Sequence, residues 1–575
     1  MINNQGKSIS NPTIIANHFN DFFVNIGIEI DKSIPISTTN YDKYLNNIIS
    51  NNSFFLNPSS PEEIGEIIKS LSTKKSSGPN SLPVRIVKLY NNFFSNNLSK
   101  IINLSFTTGI FPDLCKLAKV IPIFKKDNEL LCENYRPISL LPIFSKIIEK
   151  IIYKQMYNYL TKNNLIYNKQ FGFRGNHSTS HALISLTESI KSNMDKGLYS
   201  AGVFIDLQKA FDTVNHKILS KKLFRYGFRG VSHNLLVSFL SNRKQFVSIQ
   251  GFNSEILDVR CGVPQGSTLR PLLFLLYIND LRFCLDKVTS NHFADDTCLI
   301  LNNNTKNNIK QLESIFNKEL KSVVVWLNAN RLSLNVKKSK LLIFHSKWKK
   351  IDYKSLSIKL NDVILYPDTH IKHLGMIIDN HLSWDNHIYD LSIKLSRVNG
   401  IFAKLRHFVP KSILISVYYA LFQSYMLYGC IIWSQSIANN INKISVLQKK
   451  CLRIINFSNF NSHSNDLFKD CKILKIDNII QNEQILTAYQ FRNNHLPTDL
   501  NILFERNINQ YNTRIMAKGG LVVPRINTVS YGERSLRFAI PKQWNNFITT
   551  VDINIIKSLN MLKKYLKQIT LSSYS

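Results

Sequence analysis

The stretch "HFADDTCLIL" (292–301) decides how this chain is to be read. Asp295 and Asp296 stand side by side in an otherwise apolar, strand-like run. Burying even one unpaired carboxylate costs several kcal/mol, and two in a low-dielectric setting do not both stay ionised without compensation. No Lys or Arg lies within several residues of Asp295, so its sequence neighbours offer no salt bridge. A divalent cation is the better compensation, because Mg²⁺ prefers carboxylate oxygen and also holds substrate phosphates.

A third carboxylate strengthens this reading. "GVFIDL" (202–207) puts Asp206 at the polar end of another apolar strand, well upstream of the pair. Carboxylates on two neighbouring strands can hold two ions ~3.5–4 Å apart, the arrangement for in-line phosphoryl transfer. One ion activates an attacking hydroxyl and the other stabilises a leaving pyrophosphate.

Size and charge agree with a polymer-handling enzyme. The chain has 575 residues. At roughly 100–200 residues per domain, that means three or more units or one large multi-lobed enzyme. A hydrophobic fraction of 44%, with 35 Phe and 23 Tyr, supports a large core and argues against general disorder. Lys and Arg number 72 against 38 Asp and Glu, a net charge of +34 spread along the chain. Such an excess attracts polyanions, nucleic acid above all, with a membrane surface as the alternative.

The eight cysteines form no C-x-x-C pair, which disfavours a zinc ribbon or knuckle. Many sit in apolar runs and read as reduced core residues, as in an intracellular protein. "MINNQGKSIS" (1–10) is too polar for a signal peptide. No apolar run reaches the ~18–20 residues of a spanning helix. The nearest approach, "ISVYYALFQSYMLYGCIIW" (415–433), carries Gln, Ser and Gly and reads as one buried helix.

Periodicity and punctuation suggest further elements. An amphipathic helix is expected at 14–27, and Ser-Pro-Glu-Glu starts another at 59–71 that "KKSSGPNSLP" (74–83) ends. Residues 118–128 read as a strand with a basic turn, 134–160 as an extended segment entering a long helix, and 199–216 as a strand running into a helix. Residues 245–267 have hairpin character and end in a Gly/Pro loop; 269–285 and 308–332 read as helices. Strands are expected at 340–344 and 373–379, then mostly helix to near 500, then turns, strands and a final helix over 511–575. No internal repeat is evident.

"FIDLQKAFDTVNH" (204–216), "CGVPQGSTLRPLLFLLYINDL" (261–281), "HFADDTCLI" (292–300), "LNANRLSLNVKKSKLLIF" (327–344) and "HLGMIID" (373–379) occur in that order. Together they resemble the palm motifs of reverse transcriptases, and most closely those of non-LTR (LINE-type, jockey-like) retrotransposon polymerases. "VIPIFKKDN" (120–128), "NYRPISLLP" (134–142) and "QFGFRGNHSTSHAL" (170–183) resemble that family's fingers segments, as does the 74–83 stretch. "LSWDNHI" (382–388), "LYGCIIWS" (427–434) and "GERSLRFAIPKQWN" (532–545) resemble its regions beyond the palm.

The resemblance implies an α+β right-hand polymerase. Its parts would be an N-terminal linker or extension (1–60), fingers (61–198), a palm with an antiparallel sheet (199–385), a helical thumb (386–500) and a C-terminal extension (501–575). The reverse transcriptase domain proper would cover about 115–380. The implied reaction is RNA-templated addition of deoxynucleotides to a DNA 3′-hydroxyl with two Mg²⁺, or Mn²⁺. The implied partners are template RNA, primer or target DNA and dNTPs, with no membrane and no zinc. The implied location is a ribonucleoprotein in nucleus and cytoplasm.

Residue by residue, Asp206, Asp295 and Asp296 match the metal-binding carboxylates, Asp296 being the least certain direct ligand. Phe211 matches an aromatic under the incoming sugar, where it would collide with a 2′-hydroxyl. Gln265 and Gly266 match the Pro-Gln-Gly loop that contacts the nucleotide, glycine allowing close backbone approach. Arg136, with Lys125 or Lys126, matches basic residues that clamp the triphosphate. Lys338, or Lys340, would protonate the leaving pyrophosphate. Asp212 would orient or cap rather than bind metal.

Other readings stay open. Phe211 also fits a core position, the lysines a solvated basic turn. "SKWKK" (346–350) is either a basic-aromatic contact for a nucleic-acid backbone or a solvated loop. His177 and His181 have the i, i+4 spacing of helical metal ligands but no evident third ligand. Arg270 stands where the family usually has glycine and would mark a decaying copy. No endonuclease, RNase H or cysteine-knuckle pattern is found. Two rival functions follow: a decayed element fragment that only binds RNA or DNA, and a group II intron-type reverse transcriptase that assists splicing.

Overall fold

The computed structural model describes residues 9–47, 50–73, 78–80, 82–302, 309–506 and 518–574. Part of the 74–83 turn therefore lies outside the described residues, as does the start of the 511–575 segment. The chain is a mixed α and β structure, in line with the expected α+β class.

Its centre is a four-stranded antiparallel sheet in the order β7-β8-β3-β9. The strands are β3 (Ser200–Ile205), β7 (Thr289–Phe293), β8 (Asp296–Asn302) and β9 (Lys340–Phe344). The sequences of β3, β8 and β9 are largely continuous apolar runs rather than alternations, and the packing explains why. Ala201, Val203, Ile205, Leu299, Leu301, Leu341 and Ile343 enter one core. Phe204, Cys298, Ile300, Leu342 and Phe344 enter a second. Period-2 side chains therefore meet protein on both faces, although antiparallel sheets commonly leave one face to water.

The second core is built from the C-terminal half. Helix α1 (Thr179–Asp195) lies against the sheet and carries Leu183, Ile184, Leu186, Ile190 and Met194 into this core. The helix Leu536–Thr550 docks on α1 by polar contacts: Leu536 and Arg537 backbone N–H groups donate to the Glu188 carboxylate at 3.0 and 3.1 Å. Arg537 also pairs with Asp195 at 3.0 Å.

A second sheet runs β2-β1-β4-β5, with β6 also on β4; β5 is Phe252–Asn253 and β6 is Leu257–Val259. Here β1 (Leu117–Phe124) pairs antiparallel with β2 (Tyr135–Leu140) and parallel with β4 (Arg243–Ile249). The N-terminal helix Pro12–Ser33, capped by Asn11, lays Ala16 and Phe19 on Val120 and Val247. A Cβ on its Gly27 would stand 2.4 Å from the Asp212 carbonyl, so this helix presses directly on the loop after β3.

Three sequence expectations need correction. The 199–216 segment does not run from strand into helix: turns occupy the residues after Ile205 until a helix begins at His216. The 415–433 stretch is not one buried helix. It breaks into Lys411–Val417, a π-helix Tyr418–Gln423, Ser424–Leu427 and Cys430–Trp433, with Gly429 at φ 63°. Tyr419, Leu421, Tyr425 and Tyr428 are exposed there. The 269–285 helix ends at Ile278 and continues as a 3₁₀ segment, Asn279–Cys284. No helix among the described residues is long and apolar enough to cross a membrane.

Candidate active site

Register sets the acidic pair. Ile205 faces Thr297 across the β3–β8 ladder. One step further along the antiparallel strands, Asp206 stands opposite Asp296. Directly opposed residues share a face, and both carboxylates line one cavity of about 480 Å³. Lys338, Lys340, Asp368 and Lys372 also line it. Asp295 is half-buried and does not line that cavity.

The loop before β9 holds Asp206. Asn335 Nδ2 donates to Asp206 Oδ2 at 2.9 Å, and Asn335 N donates to the Asp206 carbonyl at 2.9 Å. Asp206 N donates to Ser339 Oγ at 3.3 Å.

A second device holds the turn. Phe293 pairs with Asp296, which leaves Ala294 and Asp295 as a two-residue turn with Ala294 at φ 59°. Beside it runs the segment 169–172. Phe171 N donates to the His292 carbonyl at 2.8 Å, and His292 N donates to the Lys169 carbonyl at 2.9 Å. Gln170 Oε1 accepts from Ala294 N at 3.0 Å and from Gly172 N at 2.9 Å. A Cβ on Gly172 would lie 2.3 Å from Ala294 N, so only glycine admits the turn this closely.

Electrostatics at the turn are crowded. Burial raises the Asp295 carboxyl above its ordinary value, and Asp206 adds to the rise; its own backbone hydrogen bond, Arg270 and Arg136 oppose it. Desolvation, then Asp295 and Asp206, push Asp296 up to about 6, although the residue keeps an exposed edge. The sequence shows no cation near Asp295, but the fold brings two guanidinium groups from distant segments, so charge compensation is partly internal. Among the described residues, no three or more His, Cys, Asp or Glu side chains gather closely enough to hold a metal ion.

Above the acids is a basic wall. Desolvation lowers the Lys125 ammonium below its ordinary value, and Arg136, Lys338, Lys209 and Lys126 add to the effect, which places these cations near one another. Arg136 faces Ile123 across the β1–β2 ladder. Lys126 pairs with Asp127 at 3.4 Å, and Lys340 with Asp368 at 3.4 Å.

Residues 261–265 line a second cavity with Lys209 and Asp212. Ser139 N donates to the Gln265 carbonyl at 2.6 Å. Gly266 has φ 137°, and a Cβ there would lie 2.2 Å from the Ser139 carbonyl oxygen. Gln265 Nε2 donates to both Asp212 oxygens, at 3.3 and 3.4 Å. From below, the fully buried Glu149 accepts from Ser145 Oγ at 2.8 Å, Ser267 Oγ at 2.5 Å and Thr268 N at 2.7 Å.

Phe211 is partly buried against this loop. Its ring centroid lies 4.2 Å from that of Phe274, and the Arg270 guanidinium sits 4.4 Å from the same centroid. Arg270 Nη2 lies 3.6 Å from Asp212 Oδ1.

The structure thus puts Asp206, Asp296, Lys338 and Lys340 on one cavity, with Asp295, Lys125 and Arg136 near them, whereas Gln265 lines a separate cavity with Lys209 and Asp212, and Phe211 and Gly266 line neither. His177 and His181 lie elsewhere: His177 Nδ1 bonds the Gly175 carbonyl at 2.7 Å, and the two line a separate cavity with Glu483 and His495. In "SKWKK", Trp348 is 93% exposed, while Lys347 pairs with Asp385 and Lys349 sits over Tyr199. Asn335, Ser339, Glu149, Gln170 and Lys209 were missed. All but Glu149 lie inside quoted motifs, but their contacts are ones that no local pattern announces.

Comparison with known proteins agrees with this geometry. Residues 123–378 match the family described as reverse transcriptase (RNA-dependent DNA polymerase). The chain is 28% identical over 451 residues to the RNA-directed DNA polymerase from mobile element jockey of Drosophila melanogaster, covering 76% of this chain and 48% of that protein. It is 30% identical over 466 residues to the probable RNA-directed DNA polymerase from transposon BS of the same fly, covering 76% and 49%. The chain spans about half the length of these relatives.

Proposed function

We propose, from the premise that residues 123–378 form a reverse transcriptase domain homologous to these mobile-element polymerases, that the chain is the RNA-directed DNA polymerase of a non-LTR retrotransposon. The observation that carries the reading is the cavity shared by Asp206, Asp296 and Lys338, with Lys125 and Arg136 close to these groups. Fingers at 61–198, palm at 199–385, thumb at 386–500 and a C-terminal extension at 501–575 are the corresponding parts.

Reverse transcriptases as a family use divalent metal ions. The donor chemistry here fits: hard carboxylate oxygens that burial, and then neighbouring carboxylates, raise at Asp295 and Asp296. Asp206, Asp295 and Asp296 would be the holding residues, although as they stand the three are not gathered closely enough to hold an ion. Bound there, divalent cations (two Mg²⁺, with Mn²⁺ an alternative) supply charge to the primer hydroxyl and to the leaving pyrophosphate.

The chain's own groups do the rest. Arg136 and Lys125, with Lys126 at the rim, orient the triphosphate of the incoming dNTP by charge-assisted hydrogen bonds. Phe211 meets the sugar, and Gln265 and Gly266 close the pocket around it. The primer 3′-hydroxyl attacks the α-phosphorus, the bond to the β-phosphate oxygen breaks, and Lys338 delivers a proton to the departing pyrophosphate. Lys340 is the weaker candidate because Asp368 already engages it. The +34 charge suits template RNA and primer DNA, in a ribonucleoprotein of nucleus and cytoplasm.

Primer extension on a defined RNA template tests the reading. Divalent-dependent incorporation of dNTPs is expected. RNA binding without synthesis would instead assign the chain as a decayed fragment.

A further inference from the structure

Arg270 is the cation that the polymerase reading leaves without a task. Its side chain is only 11% exposed. Burial lowers its guanidinium to about 10, so it remains a cation at neutral pH. Its Nη1 is buried without a hydrogen-bond partner among the described residues. Holding a buried guanidinium in this state is costly unless its contacts compensate.

Those contacts converge on one ring. The guanidinium stacks over Phe211, and Nη2 approaches Asp212, the very next residue. Gln265 grips the same Asp212 carboxylate from the nucleotide loop. Val263 N donates to the Phe211 carbonyl at 3.1 Å. Phe274 holds the ring at 4.2 Å. Side chain and backbone of Phe211 are therefore fixed together, and Arg270 touches both the ring and its neighbour's carboxylate.

We propose that Arg270 is a positioning residue that clamps Phe211 and so sets how strictly the pocket rejects ribonucleotides. The proposal rests on the polymerase reading and on Phe211 as the residue beneath the sugar. A ring free to tilt would yield to a 2′-hydroxyl. A ring held by Phe274 and by the Arg270–Asp212 pair does not.

The test is steady-state primer extension by the full chain, comparing kcat/KM for a dNTP with that for the matching rNTP. Arg270→Gly is expected to lower the dNTP-to-rNTP ratio about tenfold, the scale of one partly desolvated cation–π contact. Arg270→Met, which keeps most of the volume without the charge, lowers it in the same direction and carries the test if the glycine variant misfolds. In the Phe211→Ala background the Arg270 change has no further effect, because it acts through the ring. A ratio within about twofold of wild type in both Arg270 variants overturns the proposal, as does an additive double variant. So does a gain in dNTP incorporation with an unchanged ratio, which would make Arg270 a lesion. A wild-type chain that extends no primer overturns the polymerase reading, and this proposal with it; an active wild type with unchanged ratios overturns this proposal alone.

Discussion

Asn335 grips Asp206 twice, by its side-chain amide to Oδ2 and by its backbone N–H to the carbonyl, both at 2.9 Å. The double contact fixes the rotamer and height of a carboxylate that needs both to serve a cation. Groups that orient a metal ligand typically affect metal affinity or activity 10–100-fold. Asn335→Ala is therefore expected to reduce kcat by about that factor and to raise the divalent concentration needed for half-maximal rate. An unchanged cation dependence in primer extension would refute this role.

Asp295→Asn and Asp206→Asn are expected to abolish synthesis while leaving RNA affinity near wild type. Affinity comes from the basic surface, so it should fall linearly with salt on logarithmic axes, with similar slopes in wild type and variants. Filter binding across a salt series beside primer extension checks both halves. Normal extension by Asp295→Asn would remove it from the site.

Gly172→Ala is expected to lower kcat sharply with only a modest loss of melting temperature. The new Cβ would lie 2.3 Å from Ala294 N, so the Ala294–Asp295 turn must move while the cores on either side stay packed. Equal losses of activity and folded fraction would mean that the turn is not what moved.

Glu149→Ala leaves the Ser267 hydroxyl and the Thr268 N–H without their carboxylate acceptor. At roughly 1–3 kcal/mol for each buried group left unsatisfied, the variant is expected to lose about 3 kcal/mol in denaturant unfolding. A higher KM for dNTP should accompany it, since the Gln265 loop sits directly above. Wild-type stability would show that the loop is held by other means.

Asp296 gives a pH signature. Its folded carboxyl is raised to about 6, above the usual value of about 3.9. A raised carboxyl favours folding while protonated, and that contribution is lost as pH climbs through about 6. A divalent cation bound at the carboxylates offsets the loss. Mg²⁺ is therefore expected to raise the melting temperature more at about pH 7.5 than at about pH 5. Asp296→Asn should flatten that difference, and equal shifts at both pH values would count against cation binding there.

The sequence was most legible where period and chemistry agreed. The amphipathic run 308–332 became the helix Ile309–Ala329, and the apolar run around Leu341 became β9. The hairpin bearing the acidic pair was readable because carboxylates in an apolar strand demand a reason. The 415–433 stretch misled because composition alone does not show where an apolar run is covered; the break at Gly429 and the π-turn leave several rings facing out. Arg136 and Arg270 near Asp295, and Glu149 under the nucleotide loop, were not legible, since each is far from its partner along the chain. The resemblance led to glycine at position 270, and the fold instead gives Arg270 a ring and a carboxylate to hold.

The central sheet is a party wall. Alternate residues of β3, β8 and β9 belong to two different cores, one of them built largely from residues beyond 380. The recognisable reverse transcriptase segment ends at 378. Cut out there, it would keep every acidic residue of the site and turn Phe204, Ile300, Leu342 and Phe344 towards water. The segment that matches the family is thus smaller than the region that packs around its central sheet.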